Sequence, residues 1–167
     1  MTSPAAVFAY CRAGFEAEAG LDLARIAARA AIRLDVEAHP GAACVVARSP
    51  HVDVAAWDRA CAAAPPVFAR AIAIGGDAVA LTAAPAAGAR VDRVTPLVAA
   101  IETLAQQRSH APPWRSVWLE YPDTNEGKAL SPLARALAPR VEGELRARRA
   151  LDERAPRRLR VFLADGQ

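Results

Sequence analysis

The order of strand-like and helix-like segments over residues 7–74 most strongly constrains how this chain can fold. Apolar residues that alternate with polar ones predict strands, and apolar residues three and four positions apart predict helices. The predicted elements are, in chain order, a strand at 7–12, a helix at 16–30, strands at 32–37 and 43–47, a helix at 54–63 and a strand at 67–74. This β-α-β-β-α-β order is that of a ferredoxin-like domain, with a short third strand as one departure.

The rest of the chain predicts a second, α/β unit. The segment 83–90 is rich in Ala with one Pro and one Gly, so it is the best linker between domains at 1–82 and 91–167. The predicted elements are a strand at 79–82, a helix at 91–107, a strand at 116–121, a helix whose apolar face includes positions 130 to 145, and a strand at 157–163. Pro139 is expected to bend or split the last helix. The predicted fold class is α+β, and a final strand without a successor suggests a fragment.

Composition narrows the class of protein. Hydrophobic residues make up 53% of the chain but aromatics only 5%, so the core must consist of Leu, Val, Ile and Ala. No apolar run approaches the roughly 18 residues of a membrane span, and no signal peptide is recognisable, so we expect a cytoplasmic protein. The three cysteines are odd in number and far apart, which favours small buried side chains over disulfides. The histidines show no metal-ligand spacing.

Positive charge is concentrated near the C-terminal end. Segment 140–160 holds eight arginines and four acids and therefore carries +4, which leaves −1 for the rest of a chain whose net charge is +3. A basic segment on a near-neutral body points to a polyanionic partner. An arginine-rich solvated helix face explains the same pattern without any partner, and the sequence does not decide between the two.

The stretch 117–128 is the best local candidate for a binding site. It begins as a strand and ends in Asp123, Thr124 and Asn125, which are all good helix-capping residues. Lys128, the only lysine in the chain, is expected one turn into the following helix. A cation at a helix start is a ready anion site, although capping alone explains the first polar residues.

No self-sufficient active site is recognisable. The sequence contains no glycine-rich nucleotide loop, no nucleophile elbow and no Cys-x-x-Cys pair. Catalysis through Cys11, with its pKa lowered by the neighbouring Arg12, is one hypothesis, but no base accompanies it. We therefore predict no catalytic, cofactor-binding or metal-binding residue in this chain.

Four short blocks carry a more specific signal when they are taken together. They are Tyr-Cys-Arg-Ala-Gly-Phe-Glu at 10–16, Phe-Ala-Arg at 68–70, Asp-Arg-Val-Thr-Pro-Leu at 92–97 and Asp-Thr-Asn-Glu-Gly-Lys at 123–128. In this order they resemble the N-terminal half of the RlmM-type enzymes, the THUMP-containing 2′-O-ribose methyltransferases of bacterial large-subunit ribosomal RNA. The resemblance implies a ferredoxin-like domain followed by a THUMP domain. It also implies a catalytic domain, absent here, that binds S-adenosylmethionine.

The resemblance implies ribosomal RNA, 23S rRNA in particular, as the partner, and this chain as a capture module without activity of its own. The residues expected to contact RNA are Arg12, Arg70, Asn125, Lys128, Arg146, Arg149, Arg157 and Arg158. Arg12 and Arg70 have a competing interpretation, in which they pair with a carboxylate such as Asp123 or Glu126. Phe15 and Phe68 suit base stacking, but core packing is the favoured interpretation.

A second hypothesis makes the chain a dimerisation or docking module for a protein or a small effector, with no RNA role. The basic C-terminal segment argues mildly against it.

Overall fold

The structure, a computed structural model, describes residues 5–76, 81, 91–107 and 112–164. The chain divides into two compact units, Met1–Asp77 with Pro122–Asn125 and Ala78–Tyr121 with Glu126–Gln167. The expected connector at 83–90 lies outside the described residues, as does the expected strand at 79–82 apart from Leu81.

Over residues 5–76, the first unit has two helices and four strands in the order that the sequence predicts. They are β1 (Ala5–Tyr10), α1 (Glu16–Arg29), β2 (Asp35–Ala38), β3 (Cys44–Ser49), α2 (Val54–Ala63) and β4 (Ala71–Gly75). The sheet order is β2-β3-β1-β4, and every neighbouring pair is antiparallel. The third strand is six residues long, so the expectation of a short one is wrong.

The core of the first unit follows the predicted periodicities. Val7 and Ala9 of β1 are fully buried, because alternate residues of a strand point to the same face of the sheet. Leu23, Ile26 and Ala27 form the buried face of α1, as the helical spacing predicts. Helix α2 begins after its cap, Asp53, whose Oδ1 accepts hydrogen bonds from the N–H groups of Ala55 and Ala56.

The second unit has helices on a pair of parallel strands. The elements described after β4 are α3 (Val94–Gln107), β5 (Val117–Glu120), α4 (Asn125–Lys128), α5 (Ser131–Ala147) and β6 (Leu159–Phe162). All of them belong to the second unit except Asn125 at the start of α4, which belongs to the first. Strands β5 and β6 pair in parallel, with Val117 opposite Leu159. Their apolar faces pack with Val98 of α3 and with Val141 and Leu145 of α5 in one buried cluster.

Helix α3 begins three residues later than the sequence predicts. Asp92 acts as its cap, since Oδ1 accepts hydrogen bonds from Val94 N (3.0 Å) and Thr95 N (3.3 Å). A capping side chain satisfies N–H groups that have no partner within the helix. The third sequence block, 92–97, is therefore explained in part by helix initiation.

The helix expected after Thr124 is interrupted at a different place from the one predicted. Helix α4 ends at Lys128, where Ala129 N donates to Glu126 O and Leu130 N donates to Gly127 O. Such three-residue spacing tightens the last turn and ends the helix. Pro139, in contrast, lies inside α5 without splitting it. Buried Leu137 and Val141 flank Pro139 and hold this part of the helix against the core.

Within the described ranges, no helix is both long and apolar enough to cross a lipid bilayer.

Candidate nucleic-acid interface

Two loops of the first unit bring the first two sequence blocks together. One loop, 11–15, follows β1, and the other, 64–70, precedes β4. The two loops start side by side, because the pairing of β1 with β4 ends at Tyr10 and Ala71. Arg70 N, one residue before β4, still donates a hydrogen bond to Tyr10 O at 2.7 Å. Strand β1 ends before Arg12 and β4 starts after Arg70, so both arginines belong to loops rather than to the strands in which they were predicted.

The first loop is fixed by a buried carboxylate. Glu16, the first residue of α1, is only 3% exposed, and it accepts hydrogen bonds from Gly14 N (3.0 Å) and Ala43 N (2.8 Å). Burial alone would raise the pKa of Glu16, but the donating backbone N–H groups outweigh it and hold this pKa below the ordinary value. Gly14 adopts a φ of +91°, which an L side chain rarely tolerates.

A second carboxylate on the same helix fixes the other loop. Asp22 Oδ2 accepts hydrogen bonds from Val67 N and Phe68 N, both at 2.7 Å. Its Oδ1 accepts from Arg25, which also donates to Pro65 O. Burial opposes ionisation here too, yet these donors lower the pKa of Asp22 below its usual value. The acids of α1 therefore act as anchors for both loops.

Each of these loops presents one phenylalanine at the surface. The rings of Phe15 and Phe68 stack with centroids 5.8 Å apart and planes inclined by 19°. Their exposed fractions are 39% and 40%, so the prediction that they pack in the core is wrong. They lie outside the strands, and the interior of the sheet is already filled by Val7, Ala9 and the α1 face.

The charged residues around these loops differ in their partners. The Arg70 guanidinium donates to Asp123 Oδ2 at 3.2 Å. Both residues belong to the first unit, which includes Pro122–Asn125. The competing interpretation of Arg70 as an ion-pair partner of Asp123 is therefore confirmed. Arg12 is exposed, and none of the described acids forms an ion pair with it.

Cys11 is unsuited to nucleophilic chemistry. Cys11 lies in the core and is only 2% exposed. Its burial raises the pKa of the thiol to about 11, and the nearby Glu16 carboxylate acts in the same direction. The hypothesis that Arg12 activates this thiol is wrong, because the desolvation of a thiolate outweighs the surrounding positive charge.

The second unit offers a different surface, the outer face of β5 and β6. Val117, Leu159 and Val161 face the core, and the intervening residues face outward. We call the outward group formed by Trp118, Glu120, Arg158 and Arg160 the Trp118 cluster.

Charge and aromatic surface are combined in the Trp118 cluster. The Arg158 guanidinium lies 4.7 Å from the Trp118 ring centroid, and that of Arg160 lies 5.4 Å from it. Arg160 Nη1 also donates to both carboxylate oxygens of Glu120, at 2.7 and 3.0 Å. Trp118 remains 43% exposed.

Of these residues, only Arg158 was predicted from the sequence as an RNA contact, and Trp118 and Arg160 were not. The available signal was the alternation in both strands, which places these three residues opposite the apolar ones. The parallel register that sets Trp118 beside Arg160 was not readable from the sequence.

The other predicted contact residues lie in α4, in α5 and in the segment between α5 and β6. Asn125 and Lys128 are exposed at the two ends of α4, whose single turn is too short to act as a helix-dipole anion site. Arg146 pairs with Glu142 at 2.7 Å along α5. Arg149, just beyond α5 with a φ of +56°, and Arg157 are both exposed.

Only some arginines of the basic segment 140–160 form ion pairs with the described acids. Arg148 pairs with Glu102 of α3 at 2.7 Å, and with Glu144 at 3.5 Å. With the pairs of Arg146 and Arg160, three of the eight arginines have carboxylate partners. Five do not form such pairs with the described acids: Arg140, Arg149, Arg154, Arg157 and Arg158. The solvated-face interpretation therefore accounts for part of this segment only.

Parts of the chain match known proteins. Residues 92–165 match the family model described as "Ribosomal RNA large subunit methyltransferase M, N-terminal". The chain is 39% identical over 71 residues to the ribosomal RNA large subunit methyltransferase M of Laribacter hongkongensis (strain HLHK9), which is 42% of this chain and 18% of that protein. It is 48% identical over 52 residues to the protein of the same name from Alkalilimnicola ehrlichii (strain ATCC BAA-1101 / DSM 17681 / MLHE-1), which is 30% of this chain and 14% of that protein.

The matched segments span less than a fifth of the length of these two relatives. The resemblance inferred from the four sequence blocks is confirmed by these matches, as a likeness to the N-terminal part of the M-type methyltransferases of large-subunit ribosomal RNA.

Proposed function

We propose that this chain is the RNA-binding N-terminal portion of an S-adenosylmethionine-dependent 2′-O-ribose methyltransferase of large-subunit ribosomal RNA. In this role it captures 23S rRNA and positions it for a separate catalytic domain in the cytoplasm. The single observation that carries the proposal is the match of residues 92–165 to the N-terminal family model. S-adenosylmethionine would be bound by the catalytic domain, since no residue here is assigned to it.

The architecture supports a two-domain capture module. The antiparallel order β2-β3-β1-β4 with helices after β1 and β3 is the arrangement expected of a ferredoxin-like first domain. We assign the second unit, which contains the matched residues 92–165 apart from 122–125, to a THUMP domain. The domain limits of this proposal remain 1–82 and 91–167, with a linker at 83–90.

The exposed cations support RNA as the partner. Contacts to phosphate give affinity and register without selecting a sequence, and arginine suits them because its planar fork matches phosphate oxygens. The proposed contacts are Arg12 and Arg70 on the first unit, Asn125 and Lys128 of α4, and Arg146, Arg149, Arg157 and Arg158 on the second unit. Arg70 and Arg146 already have carboxylate partners, so RNA must compete for them.

A second candidate function is docking or dimerisation through the first unit. Leu21 and Val67 are 70% and 77% exposed, and Phe68 lies next to Val67. Exposed apolar side chains of this size favour a protein contact when they are contiguous. The comparisons favour the RNA-binding proposal, because the names of the matched relatives refer to ribosomal RNA.

Light scattering combined with an RNA shift assay separates the two functions. The RNA-binding module is expected to retard large-subunit rRNA fragments. A chain that dimerises at micromolar concentration and leaves the mobility of these RNAs unchanged would support the docking function and contradict the proposal.

A further inference from the structure

The Trp118 cluster contains an aromatic side chain whose exposure no feature of the fold requires. The chain has three tryptophans. Trp57 and Trp114 are 2% and 8% exposed, whereas Trp118 is 43% exposed on the outer face of a strand. Burial of a tryptophan is strongly favourable, so an indole left in solvent is a cost to the unliganded protein.

The arginines next to this indole differ in how they are held. Arg160 is bound by both oxygens of Glu120, with side chains only 25% and 26% exposed. Arg158 lies closer to the ring, and no described acid pairs with it. The guanidinium donors of Arg158 therefore remain available for a further acceptor beside the ring.

We propose that Trp118 stacks on an unpaired nucleobase of RNA and that Arg158 binds the adjacent phosphate. This inference rests on the proposed function and names the form of RNA that the second unit binds. Single-stranded nucleic acid is commonly bound by aromatic side chains that stack on bases, next to cations that follow the backbone. A duplex hides the faces of its bases, so this surface favours loops, bulges and single-stranded ends.

Charge favours RNA over a protein partner at this surface. The Trp118 cluster has two arginines and one glutamate, and the segment that ends in Arg160 carries +4. Its aromatic area is a single ring bordered by charge, whereas protein-docking patches are broader and more apolar. One ring with adjacent guanidinium groups matches the size of one nucleotide.

Tryptophan fluorescence provides a direct test. In a chain that carries Trp57→Phe and Trp114→Phe, all tryptophan emission comes from Trp118. Titration with a single-stranded ten-nucleotide RNA is expected to quench this emission to saturation, and the same RNA annealed to its complement is expected to quench it much less. Unchanged emission at RNA concentrations that saturate binding, measured with labelled RNA, would overturn the inference.

Substitutions in the otherwise unchanged chain give a second readout. Trp118→Ala is expected to weaken binding of the labelled single strand on the order of tenfold, and Trp118→Phe less, because a ring is retained. Arg158→Gln should reduce the slope of log K against log salt by about 0.7, the value for one phosphate contact on a single strand. Arg33→Gln, which removes an exposed charge from the first unit, should leave the stacking signal unchanged.

The outcomes separate this inference from the proposed function. If the Trp118→Ala chain binds RNA as strongly as the unchanged chain, and binding depends on salt, the stacking site is overturned. The proposed function is then left intact. Absence of RNA binding by the unchanged chain overturns both. Self-association that Trp118→Ala abolishes, without any quenching by RNA, overturns the inference in favour of a protein contact.

Discussion

The Phe15 and Phe68 rings stack on each other at the surface of the first unit, 5.8 Å apart between centroids. Each ring is on a loop that a buried carboxylate of α1 anchors, Glu16 for the first loop and Asp22 for the second. The pair is thus held by polar contacts below it rather than by burial of the rings.

The first prediction concerns the coupling energy of this aromatic pair. A double-mutant cycle with Phe15→Leu and Phe68→Leu should give a coupling free energy of about 0.5–1 kcal/mol, the lower part of the range for aromatic pairs, because both rings are partly exposed. Urea unfolding followed by Trp57 fluorescence, with Trp114 and Trp118 replaced by Phe, measures it. Leu21→Ala, at an exposed position of α1, should change the unfolding free energy by less than about 0.5 kcal/mol. If the losses of unfolding free energy from the two single substitutions simply add up in the double variant, the two rings do not stabilise each other.

The second prediction is a loss of stability of the first unit in acid. The pKa values of Glu16 and Asp22 are lowered in the folded protein. The stability that these two carboxylates contribute is therefore complete at a pH above their ordinary pKa values of 4.5 and 3.8. It is lost as the pH falls below those values and through the lower pKa values of the folded protein. Urea unfolding between pH 7 and pH 2 should show stability falling in that window.

Asp22→Asn should show a shallower decline than the unchanged chain in this pH series. It should also lower stability near pH 7 by about 1–3 kcal/mol, because the backbone N–H groups of the second loop lose a charged acceptor. Asp58→Asn, on the exposed side of α2, is the matched control. Equal pH slopes for Asp22→Asn and the unchanged chain would refute the role of Asp22 as an anchor.

The third prediction concerns the reactivity of Cys11. A thiol pKa of about 11 instead of 9.0 lowers the thiolate fraction at pH 8 on the order of 100-fold. Iodoacetamide should therefore alkylate Cys11 very slowly in the native protein and rapidly in urea, as followed by peptide mass spectrometry. Cys44 and Cys61, which are only half buried, serve as internal references. Rapid native labelling of Cys11 at pH 8 would show that its thiol is activated after all.

The fourth prediction separates the two roles of Arg70. Its side chain and that of Asp123 are 55% and 48% exposed, and such ion pairs contribute at most about 1 kcal/mol. Asp123→Asn should therefore change stability little and should not weaken RNA binding. Arg70→Gln should lower the salt slope of RNA binding by about 0.7. An unchanged slope would assign Arg70 to the ion pair alone.

The first unit was largely predictable because its signals are local. Helix α2 starts at the predicted residue, directly after an Asp53 cap, and the spacing of Leu23, Ile26 and Ala27 places them on one buried face. Pairing order followed from the order of the elements. The strand limits were less accurate near Arg12 and Arg70, since hydrophobic alternation continues past the last paired residues.

The candidate surfaces were only partly predictable because they depend on long-range contacts. Local apolarity favoured core positions for Phe15 and Phe68, but the backbone anchored by Glu16 and Asp22 leaves both rings outside the sheet. The proximity of Trp118 to Arg160 depends on the register of two strands that are separated in the chain by two helices, α4 and α5. The end of α4 depends on two turn hydrogen bonds that the sequence of Lys128 and its neighbours does not specify.

The salt dependence of binding to large-subunit rRNA tests the central claim most directly. The equilibrium constant of the unchanged chain should be measured with labelled rRNA fragments between about 50 and 200 mM salt. We predict a linear fall of log K with log salt, with a slope of roughly −0.7 for each phosphate contact on a single strand. A binding constant that does not change with salt, or no binding at the lowest salt, would contradict an RNA-capture function for this chain.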